Sequence, residues 1–489
     1  METKDPRSWI PQVEALLQNP GFSTYLKRLS RPLASRVISQ TLEDFRNGLV
    51  AESPHILLDE SIVRSRAIEA CSLALEKKSR QSLRKVLNGT GVVLHTNLGR
   101  SPLPKAIWDA AGEINTGYSN LEFALDSGER GPRGGLAFEY LCAITGAPAA
   151  LAVNNNAAAI LLALGALAKG KEVLVSRGEA VQIGGGFRIP DILALSGAIL
   201  KEVGTTNITT VQDYTNALGQ DTAAVLLVHS SNFALRGFVE KPSLSTLNKA
   251  LPKGILRIVD QGSGTLTENL GSEPSASSLL RAGADLVCFS GDKILGGPQA
   301  GLVVGRADLI SLLARHPLMR AFRPGKTVLS LLEASLMAKL KAESGYKPKE
   351  AATYDSRANA HDGDAFSYDS AARIALRLSA ESGLATLRAF GRSVLRRLPQ
   401  GIKARIRLTP SRATLGGGST PDETISSLAL RISPIRSAAA LAENLRRAPL
   451  PLVARIEDQA VVVDLMALAG EASWDIAETL AFAMAKEQA

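Results

Sequence analysis

The residues with the clearest chemical potential lie in a glycine-rich segment around Lys293. An apolar run, 285–289, is followed by Ser290, Gly291, Asp292 and Lys293 and then by a turn with further glycines. A lysine carried by a buried strand into such a turn is partly removed from water, which lowers the pKa of its amine and suits it to Schiff-base formation. A surface lysine in a loop is the alternative interpretation of this segment taken alone.

A second chemical group, Asp260, ends another apolar run. Residues 256–264 read Leu-Arg-Ile-Val-Asp-Gln-Gly-Ser-Gly, so a carboxylate stands between a strand-like segment and a tight turn. Pyridoxal phosphate needs an acid beside its ring nitrogen, which keeps that nitrogen protonated and the ring an electron sink. Asp260 precedes Lys293 by about one crossover unit of a parallel sheet. A strand-end aspartate before glycine is as often only a turn residue.

A third candidate is the start of a predicted helix after the asparagine run 154–156. Asn155, Asn156 and Ala157 stand where amide side chains, unpaired N–H groups and the helix dipole favour a phosphate. An ordinary asparagine N-cap gives the same pattern. The lysine, the aspartate and this helix start are more specific together than alone, and with Ser290 they predict a pyridoxal-phosphate site.

These side chains need a sheet whose strands end at one edge. From residue 88 onwards short β-branched runs alternate with helical stretches, which predicts an α/β fold with a mainly parallel central sheet. Ligands of such sheets bind beyond the carboxyl ends of the strands. The predicted strands are Ala149–Val153, Glu172–Val175, Ala223–His229, Leu256–Val259 and Ala284–Phe289, and the predicted helices are Ala157–Ala168, Pro190–Ser196, Lys241–Ala250 and Ser275–Ala282.

The segments on either side of this layer differ from it in pattern. Helical periodicity in 35–49 and in 61–87, with a stop at Asn88-Gly89, predicts an N-terminal helical domain over residues 1–75. The α/β domain then occupies 76–342, and the polar stretch 343–372 is expected to be an insertion or loop. A smaller α+β domain is expected over 373–489, with strands Leu428–Ile432 and Val461–Leu465 and helices Ala438–Arg447 and Trp474–Ala485.

Composition excludes several classes of protein. The chain has 489 residues, of which 45% are hydrophobic and 21% charged, as in soluble proteins of several domains. Its longest apolar run, 157–168, is too short to cross a bilayer. Three widely spaced cysteines fit neither a disulfide framework nor a zinc site, so a reducing cytoplasmic setting is expected. The five histidines lack metal-ligand spacing; His95 and His229 could lie near the site, but structural roles are the simpler interpretation.

The charge distribution points to an anionic partner without naming it. The net charge is +9, and residues 1–90 hold 14 Lys or Arg against 10 Asp or Glu. Solvated helix faces are the simpler interpretation of this excess. The basic clusters are Lys27, Arg28, Arg31 and Arg36, and then Lys77, Lys78, Arg80, Arg84 and Lys85.

The motifs taken together resemble those of the bacterial selenocysteine synthases, the L-seryl-tRNA(Sec) selenium transferases. The resemblance runs from about residue 10 to the C-terminus and is densest from 88 to 305. It implies a fold-type-I pyridoxal-phosphate enzyme with an N-terminal helical domain that binds tRNA. It therefore favours tRNA contacts for the basic helices of residues 1–85, and in particular for Lys27, Arg28, Arg31 and Arg36. The matching segments are 87–103, 153–159, 176–178, 184–191, 202–207, 290–301, 416–419 and 455–458.

The resemblance also implies a reaction. Seryl-tRNA(Sec) would bind to the cofactor in place of Lys293, which would then take the α-proton while Asp260 keeps the ring able to store charge. Loss of the serine hydroxyl, with Asp292 as a candidate acid, and addition of selenium from selenophosphate would give selenocysteinyl-tRNA(Sec).

Anion binding and assembly are implied in the same way. Arg100, Arg320 and Arg323 match arginines that bind the selenophosphate anion in the family, and a guanidinium fork suits a tetrahedral oxyanion. For each of them a structural or exposed arginine is the alternative. A homodecamer with active sites shared between subunits is also implied.

Two segments depart from the family pattern. Residues 130–134 read Arg-Gly-Pro-Arg-Gly, so Pro132 and Gly134 stand where the family has a hydroxyl and an aromatic side chain. Pro324 and Gly325 interrupt the usual Arg-x-Asp-Lys pattern. Two other functions therefore remain open: a pyridoxal-phosphate lyase or ammonia-lyase acting on a small amino compound, and a tRNA-binding paralogue without catalysis. The intact cofactor residues argue against the paralogue.

Overall fold

The computed structural model describes residues 5–51, 59–183, 187–229, 235–270, 273–343, 369–416 and 424–487. The chain forms two compact units, Met1–Lys85 and Val86–Ala489. Most of the polar stretch predicted at 343–372 lies outside the described residues, as do parts of the 184–191 and 416–419 motifs. None of the helices described is long and apolar enough to span a membrane.

The first unit is built from helices. Its α-helices, as far as the chain is described, are α1 (Val13–Leu17), α2 (Ser23–Leu29), α3 (Arg31–Ala51) and α4 (Glu60–Arg80). Ile38 and Leu42 on α3, and Cys71 and Leu75 on α4, are four residues apart, so each helix buries one apolar stripe in a common core.

The predicted end of the last of these helices at Asn88-Gly89 was wrong. The helix α4 ends at Arg80, because residues 87–89 extend and pair with a strand near the end of the chain. It also continues past residue 75, where the sequence predicts the end of the helical domain.

The second unit contains a seven-stranded and a five-stranded sheet, together with two short hairpins. Its strands are β1 (Leu87–Gly89), β2 (Phe123–Ala124), β3 (Glu129–Arg130), β4 (Ala149–Val153), β5 (Glu172–Ser176), β6 (Gln182–Ile183), β7 (Phe187–Arg188), β8 (Ile199–Val203), β9 (Thr222–Val228), β10 (Leu256–Gly262), β11 (Leu286–Ser290), β12 (Gly301–Gly305), β13 (Ile406–Thr414), β14 (Thr424–Ile432), β15 (Leu452–Glu457) and β16 (Ala460–Asp464).

Helices cover both faces of the larger sheet and one side of the smaller one. In chain order they are α5 (Lys105–Ala110), α6 (Gly112–Thr116), α7 (Ala137–Thr145), α8 (Asn156–Leu167), α9 (Ile189–Ser196), α10 (Val211–Ala217), α11 (Leu244–Ala250), α12 (Ala276–Arg281), α13 (Ala307–Arg315), α14 (Leu318–Phe322), α15 (Lys326–Glu343), α16 (Ala371–Ser379), α17 (Glu381–Arg396), α18 (Gln400–Lys403), α19 (Ala438–Arg446) and α20 (Ser473–Ala485).

The seven-stranded sheet has the order β4-β12-β11-β10-β9-β5-β8, and every neighbouring pair is parallel except the two that involve β12. This confirms the predicted mainly parallel α/β fold, and all five predicted strands are present. Alternate residues enter opposite cores: Val153 packs with α8, α9 and α13, whereas Ala152 packs with α7, α12 and α15.

The five-stranded sheet has the order β1-β15-β16-β14-β13, with β1 parallel to β15. Helices α16, α17, α19 and α20 pack on it and enclose a separate hydrophobic core. The residues that directly follow the helical unit therefore share a sheet with the last part of the chain. The expected C-terminal strands and helices are present as β14, β16, α19 and α20.

Candidate active site

Asp260, Lys293 and the start of α8 meet at the carboxyl edge of the seven-stranded sheet. Asp260 lies near the end of β10, opposite Cys288 of the parallel neighbour β11, and Lys293 follows β11 by three residues. The Asn156 side-chain amide donates a hydrogen bond to Asp260 Oδ1 at 2.7 Å. The structure therefore brings together the three features that the sequence singled out separately.

Lys293 lies in a turn that the main chain holds firmly. The residue is only 8% exposed, and the next residue, Ile294, donates its N–H to the Ser263 carbonyl at 3.0 Å. Gly264 has a φ of +82°, and a Cβ there would lie 2.5 Å from the carbonyl oxygen of the buried Ser290. Burial, and then the Arg100 guanidinium, lower the pKa of Lys293. The amine is thus shifted towards its neutral, nucleophilic form.

Asp260 is a carboxylate with few partners in the part of the chain that is described. Within the described residues its one side-chain hydrogen bond comes from Asn156. Burial raises the pKa of Asp260, while the Asn156 amide and the charge of Lys293 oppose that rise. A protonated ring nitrogen beside the remaining oxygen would favour the charged carboxylate, so this residue fits the predicted partner of pyridoxal phosphate.

The start of α8 offers main-chain donors for a phosphate. Asn155 is the N-cap, and its Oδ1 accepts the Ala158 N–H at 2.9 Å. The N–H groups of Asn156 and Ala157 belong to the first turn and have no acceptor inside the helix. The buried Oδ1 of Asn156 has no hydrogen-bond partner among the described residues. The asparagine side chains thus cap the helix and hydrogen-bond to Asp260. A phosphate would therefore be bound by the main-chain N–H groups of the helix start.

A second charged pair lies beside the lysine. Arg100 Nη1 is 2.9 Å from Oδ2 and 3.2 Å from Oδ1 of Asp292, and the Ser101 N–H donates to the Asp292 carbonyl at 3.3 Å. Arg100 has a φ of +61°, a conformation that costs free energy for a residue other than glycine. Two contacts to one aspartate hold this strained residue next to Lys293.

The other two predicted anion-binding arginines lie beside the start of α8. The Asn154 N–H donates to the Phe322 carbonyl at 2.9 Å, which joins the segment before α8 to the end of α14. Arg320 is an exposed residue of α14, and Arg323 directly follows that helix. Arg100 is paired with Asp292, whereas Arg323 is paired with Glu122, and no partner among the described residues links the two pairs.

Glu122 connects the two segments that depart from the family pattern. It forms ion pairs with Arg130, Arg133 and Arg323, and these cations lower the pKa of Glu122. Arg133 also donates to the Pro324 carbonyl at 2.7 Å. The altered residues at 132–134 and at 324–325 therefore lie on segments that contact each other.

One buried carboxyl group at the same sheet edge was missed. Glu179 follows β5, is 7% exposed and accepts the Val228 N–H at 3.0 Å. Burial raises the pKa of Glu179 to about 7, and the charge of Asp260 adds to the effect. The available signal was the one used for Asp260, a carboxylate directly after a buried strand.

The basic residues predicted to contact tRNA are all exposed in the helical unit. Lys27 and Arg28 lie in the last turn of α2, while Arg31 and Arg36 lie on α3. Arg31 is paired with Glu14. Burial and then the charges of Arg28 and Arg80 lower the pKa of Arg84. Like charges are therefore brought close together at the ends of α2 and α4.

Comparison with known proteins identifies the family. The family model described as L-seryl-tRNA selenium transferase matches residues 86–352 and 374–469. The chain belongs to this family. A relative from Moorella thermoacetica named L-seryl-tRNA(Sec) selenium transferase is 39% identical, covering 99% of this chain and 98% of its own. One of the same name from Geotalea daltonii is 47% identical over 67% of this chain and 71% of its own.

A solved structure agrees with the fold. That of a D-glucosaminate-6-phosphate ammonia-lyase has a TM-score of 0.51 and 20% identity, covering 82% of this chain and 97% of that one. Membership of the family confirms the predicted resemblance, fold class and enzyme class, and with them pyridoxal phosphate as the cofactor. The described residues contain no group of side chains suited to a metal ion.

Proposed function

We propose that this chain converts seryl-tRNA(Sec) into selenocysteinyl-tRNA(Sec), with selenophosphate as the selenium donor. The observation that carries the proposal is the meeting of Lys293, Asp260 and the start of α8 at one sheet edge, in a chain of the transferase family. The lyase alternative has only a likeness of fold in its favour. The inactive paralogue is disfavoured because Lys293 and Asp260, the residues proposed to bind the cofactor, are both present at the same sheet edge.

Lys293 and Asp260 have different acid–base roles in this proposal. When bound, pyridoxal phosphate supplies an electron sink for charge that develops on the α-carbon of the seryl group. Lys293, whose pKa is lowered by burial, holds the cofactor and then accepts the α-proton as a neutral amine. Asp260 stays ionised against the protonated ring nitrogen, and the N–H groups of Asn156 and Ala157 bind the phosphate.

The arginines supply the charge that an anionic donor requires. Arg100 lies at the lysine, whereas Arg320 and Arg323 lie beside the phosphate-binding helix start, and we assign all three to selenophosphate. Asp292 is the candidate acid for the departing serine hydroxyl. Both of its oxygens contact Arg100. An anion that binds Arg100 would release this carboxylate, which could then receive the proton that Lys293 has taken from the α-carbon and pass it to the departing hydroxyl.

The helical unit is assigned to tRNA binding. Its exposed cations Lys27, Arg28 and Arg36 face water, as residues that contact phosphates must. Arg31 is the weakest of the four candidates because Glu14 already neutralises it. The homodecamer and the cytoplasmic setting remain proposals of the same kind, and sedimentation of the purified protein tests the first.

The test compares the full-length protein with Lys293→Ala, and with Lys249→Ala as a control at an exposed lysine of α11. Each protein is given pyridoxal phosphate, and its visible absorbance is recorded with seryl-tRNA(Sec) or free serine. Formation of selenocysteinyl-tRNA(Sec) is then measured with selenophosphate. We expect Lys293→Ala to lose the lysine-bound cofactor band and at least about 1000-fold of the activity, while Lys249→Ala retains both.

Two outcomes would overturn the proposal. A cofactor band that responds to small amines but not to the charged tRNA would favour the lyase. A wild-type protein that binds no cofactor would remove the chemistry altogether.

A further inference from the structure

His229 lies beside the cofactor acid, at the carboxyl end of the neighbouring strand. It directly follows β9, and its main-chain N–H donates to the Asp260 carbonyl at 2.9 Å. The parallel register of β9 and β10 pairs Asp260 with Val228, the preceding residue. The imidazole therefore projects from the same sheet edge as Asp260, and it is 19% exposed.

A buried carboxylate lies close to this imidazole. Oε2 of Glu273 is 3.2 Å from His229 Nδ1, and the Glu273 side chain is only 1% exposed. The main chain of Glu273 exchanges two hydrogen bonds with Leu270, both of 2.9 Å. The next residue, Pro274, accepts from the fully buried side chain of Gln261 at 2.9 Å. Since Gln261 follows Asp260, the carboxylate is tied to the strand that carries the cofactor acid.

The pair belongs to the charged cluster around Lys293. The negative charge of Glu273 acts on Lys293 and opposes the lowering of the lysine pKa by burial. Among the described residues, the other charged groups that interact within this cluster are Asp260, Glu179, Asp292, Arg100 and Lys241.

The cofactor has one polar group for which the site so far offers no partner. Its phosphate fits the start of α8, its ring nitrogen fits Asp260 and its carbonyl carbon fits Lys293. The phenolic oxygen on the ring remains, and its ionised form needs a hydrogen-bond donor once it is shielded from water.

We propose that His229, oriented by Glu273, donates a hydrogen bond to the phenolic oxygen of the bound cofactor. A carboxylate at Nδ1 fixes the orientation of an imidazole and keeps a proton on that nitrogen. Two anions, the Glu273 carboxylate and the phenolic oxygen, would favour a proton on each nitrogen of the imidazole between them, and Nε2 could then donate to the phenolic oxygen. Glu273 is a positioning residue in this arrangement. The inference rests on the proposed cofactor site but requires no tRNA.

The test is a pH titration of the visible absorbance of the cofactor bound to full-length protein, without tRNA or selenophosphate. A cationic donor at the phenolic oxygen disfavours further protonation of the cofactor–lysine linkage. Its loss in His229→Leu is therefore expected to raise the midpoint by about one pH unit and to weaken cofactor binding about tenfold in equilibrium dialysis. His229→Gln, which keeps a donor, restores part of the shift. Glu273→Gln weakens the donor, which raises the midpoint, but it also removes a negative charge that favours protonation of the linkage, so its midpoint rises less than that of His229→Leu.

Glu487→Gln is the matched control. The side chain of Glu487 is also 1% exposed and forms an ion pair with Arg405. This residue follows α20, which packs with the smaller sheet, and it is not part of the proposed cofactor site. It should leave the midpoint unchanged. An unchanged midpoint in both His229→Leu and Glu273→Gln would overturn this inference while leaving the proposed function intact. If His229→Leu does not fold, His229→Gln and Glu273→Gln decide. Absence of bound cofactor from the wild type would overturn the proposed function and this inference together.

Discussion

Two aspartates at the ends of buried strands show how differently this chain treats the same side chain. Asp464 ends β16 of the five-stranded sheet and is fully buried. Its oxygens accept from Ser427, Ser411 and the Met466 N–H at 2.7, 2.6 and 3.0 Å. Arg455 adds an ion pair at 3.4 Å.

Asp260 near the end of β10 has a single described side-chain hydrogen bond, from Asn156, and burial raises its pKa. This is the difference that we expect between a structural carboxylate and one that binds a cofactor. The fold supplies Asp464 with hydrogen-bond donors for both oxygens, so any substitution there removes stabilising contacts. Burial of the charged Asp260 side chain costs folding free energy, and a bound cation would offset that cost. Substitution of Asp260 should therefore reduce cofactor chemistry more than it reduces stability.

Asp260→Asn should give the largest effect on activity. The amide still accepts from Asn156 but cannot keep the ring nitrogen protonated, so selenocysteinyl-tRNA(Sec) formation should fall on the order of 100-fold or more. The cofactor absorbance should change as well, while the melting temperature stays within a few degrees of the wild type. Near-normal activity in Asp260→Asn would show that Asp260 does not act as the acid beside the cofactor ring nitrogen.

Asp464→Ala should give the opposite result. It leaves two hydroxyl groups, the Met466 N–H and part of Arg455 without their acceptor in a buried layer, which should cost roughly 3 kcal/mol of unfolding free energy. The measurement is urea unfolding followed by circular dichroism, with cofactor absorbance recorded in the absence of urea. If Asp464→Ala stayed stable but no longer bound the cofactor, Asp464 would not be the structural carboxylate that we describe.

Glu179→Gln tests an intermediate case. Glu179 is buried with a main-chain N–H as its described hydrogen-bond partner, and burial raises its pKa from 4.5 to about 7. A raised pKa means that the folded state holds the proton more tightly than the unfolded chain. The stabilisation is therefore complete below pH 4.5 and is lost as the pH rises through 7, by about 3 kcal/mol in total.

The glutamine variant lacks this loss, so its stability relative to wild type should rise between pH 5 and pH 8. Urea midpoints at the two pH values measure the change, and Glu113→Gln at an exposed position of α6 serves as control. Parallel pH dependence in wild type and Glu179→Gln would mean that Glu179 ionises without penalty.

The three features that meet at the carboxyl edge of the larger sheet could be read from the sequence because their signals are local. A strand that ends in an acid, a lysine in a glycine turn and an asparagine-capped helix can each be read within a few residues. The antiparallel strand β12 was missed because it begins and ends in glycine, which is rare in strands. Gly301 is required there, since a Cβ would lie 2.0 Å from the Asn155 carbonyl.

Contacts between distant segments could not be predicted in the same way. Arg100 and Asp292 are 192 residues apart, and Arg133 contacts the carbonyl of a residue 191 positions away. Nothing in the local pattern of either residue identifies its partner. The same holds for His229 and Glu273, each of which is an ordinary residue until the sheet edge brings the two together.

The smallest expected effect is on tRNA binding by the helical unit, where one arginine has a carboxylate partner and another, in the described part of the chain, does not. Arg31 is neutralised by Glu14, whereas Arg28 has no carboxylate partner in the described part of the chain and lies close enough to act on Arg84. A tRNA phosphate would relieve the repulsion among these cations, so Arg28 gains more from binding than Arg31 does. Arg28→Ala should therefore weaken tRNA binding several-fold and reduce the slope of log affinity against log salt by about 1, while Arg31→Ala leaves the slope unchanged. Filter binding at several salt concentrations measures both variants. Equal slopes for the two would mean that Glu14 releases Arg31 when RNA arrives, and that the pairing seen in the free protein does not decide which cations bind.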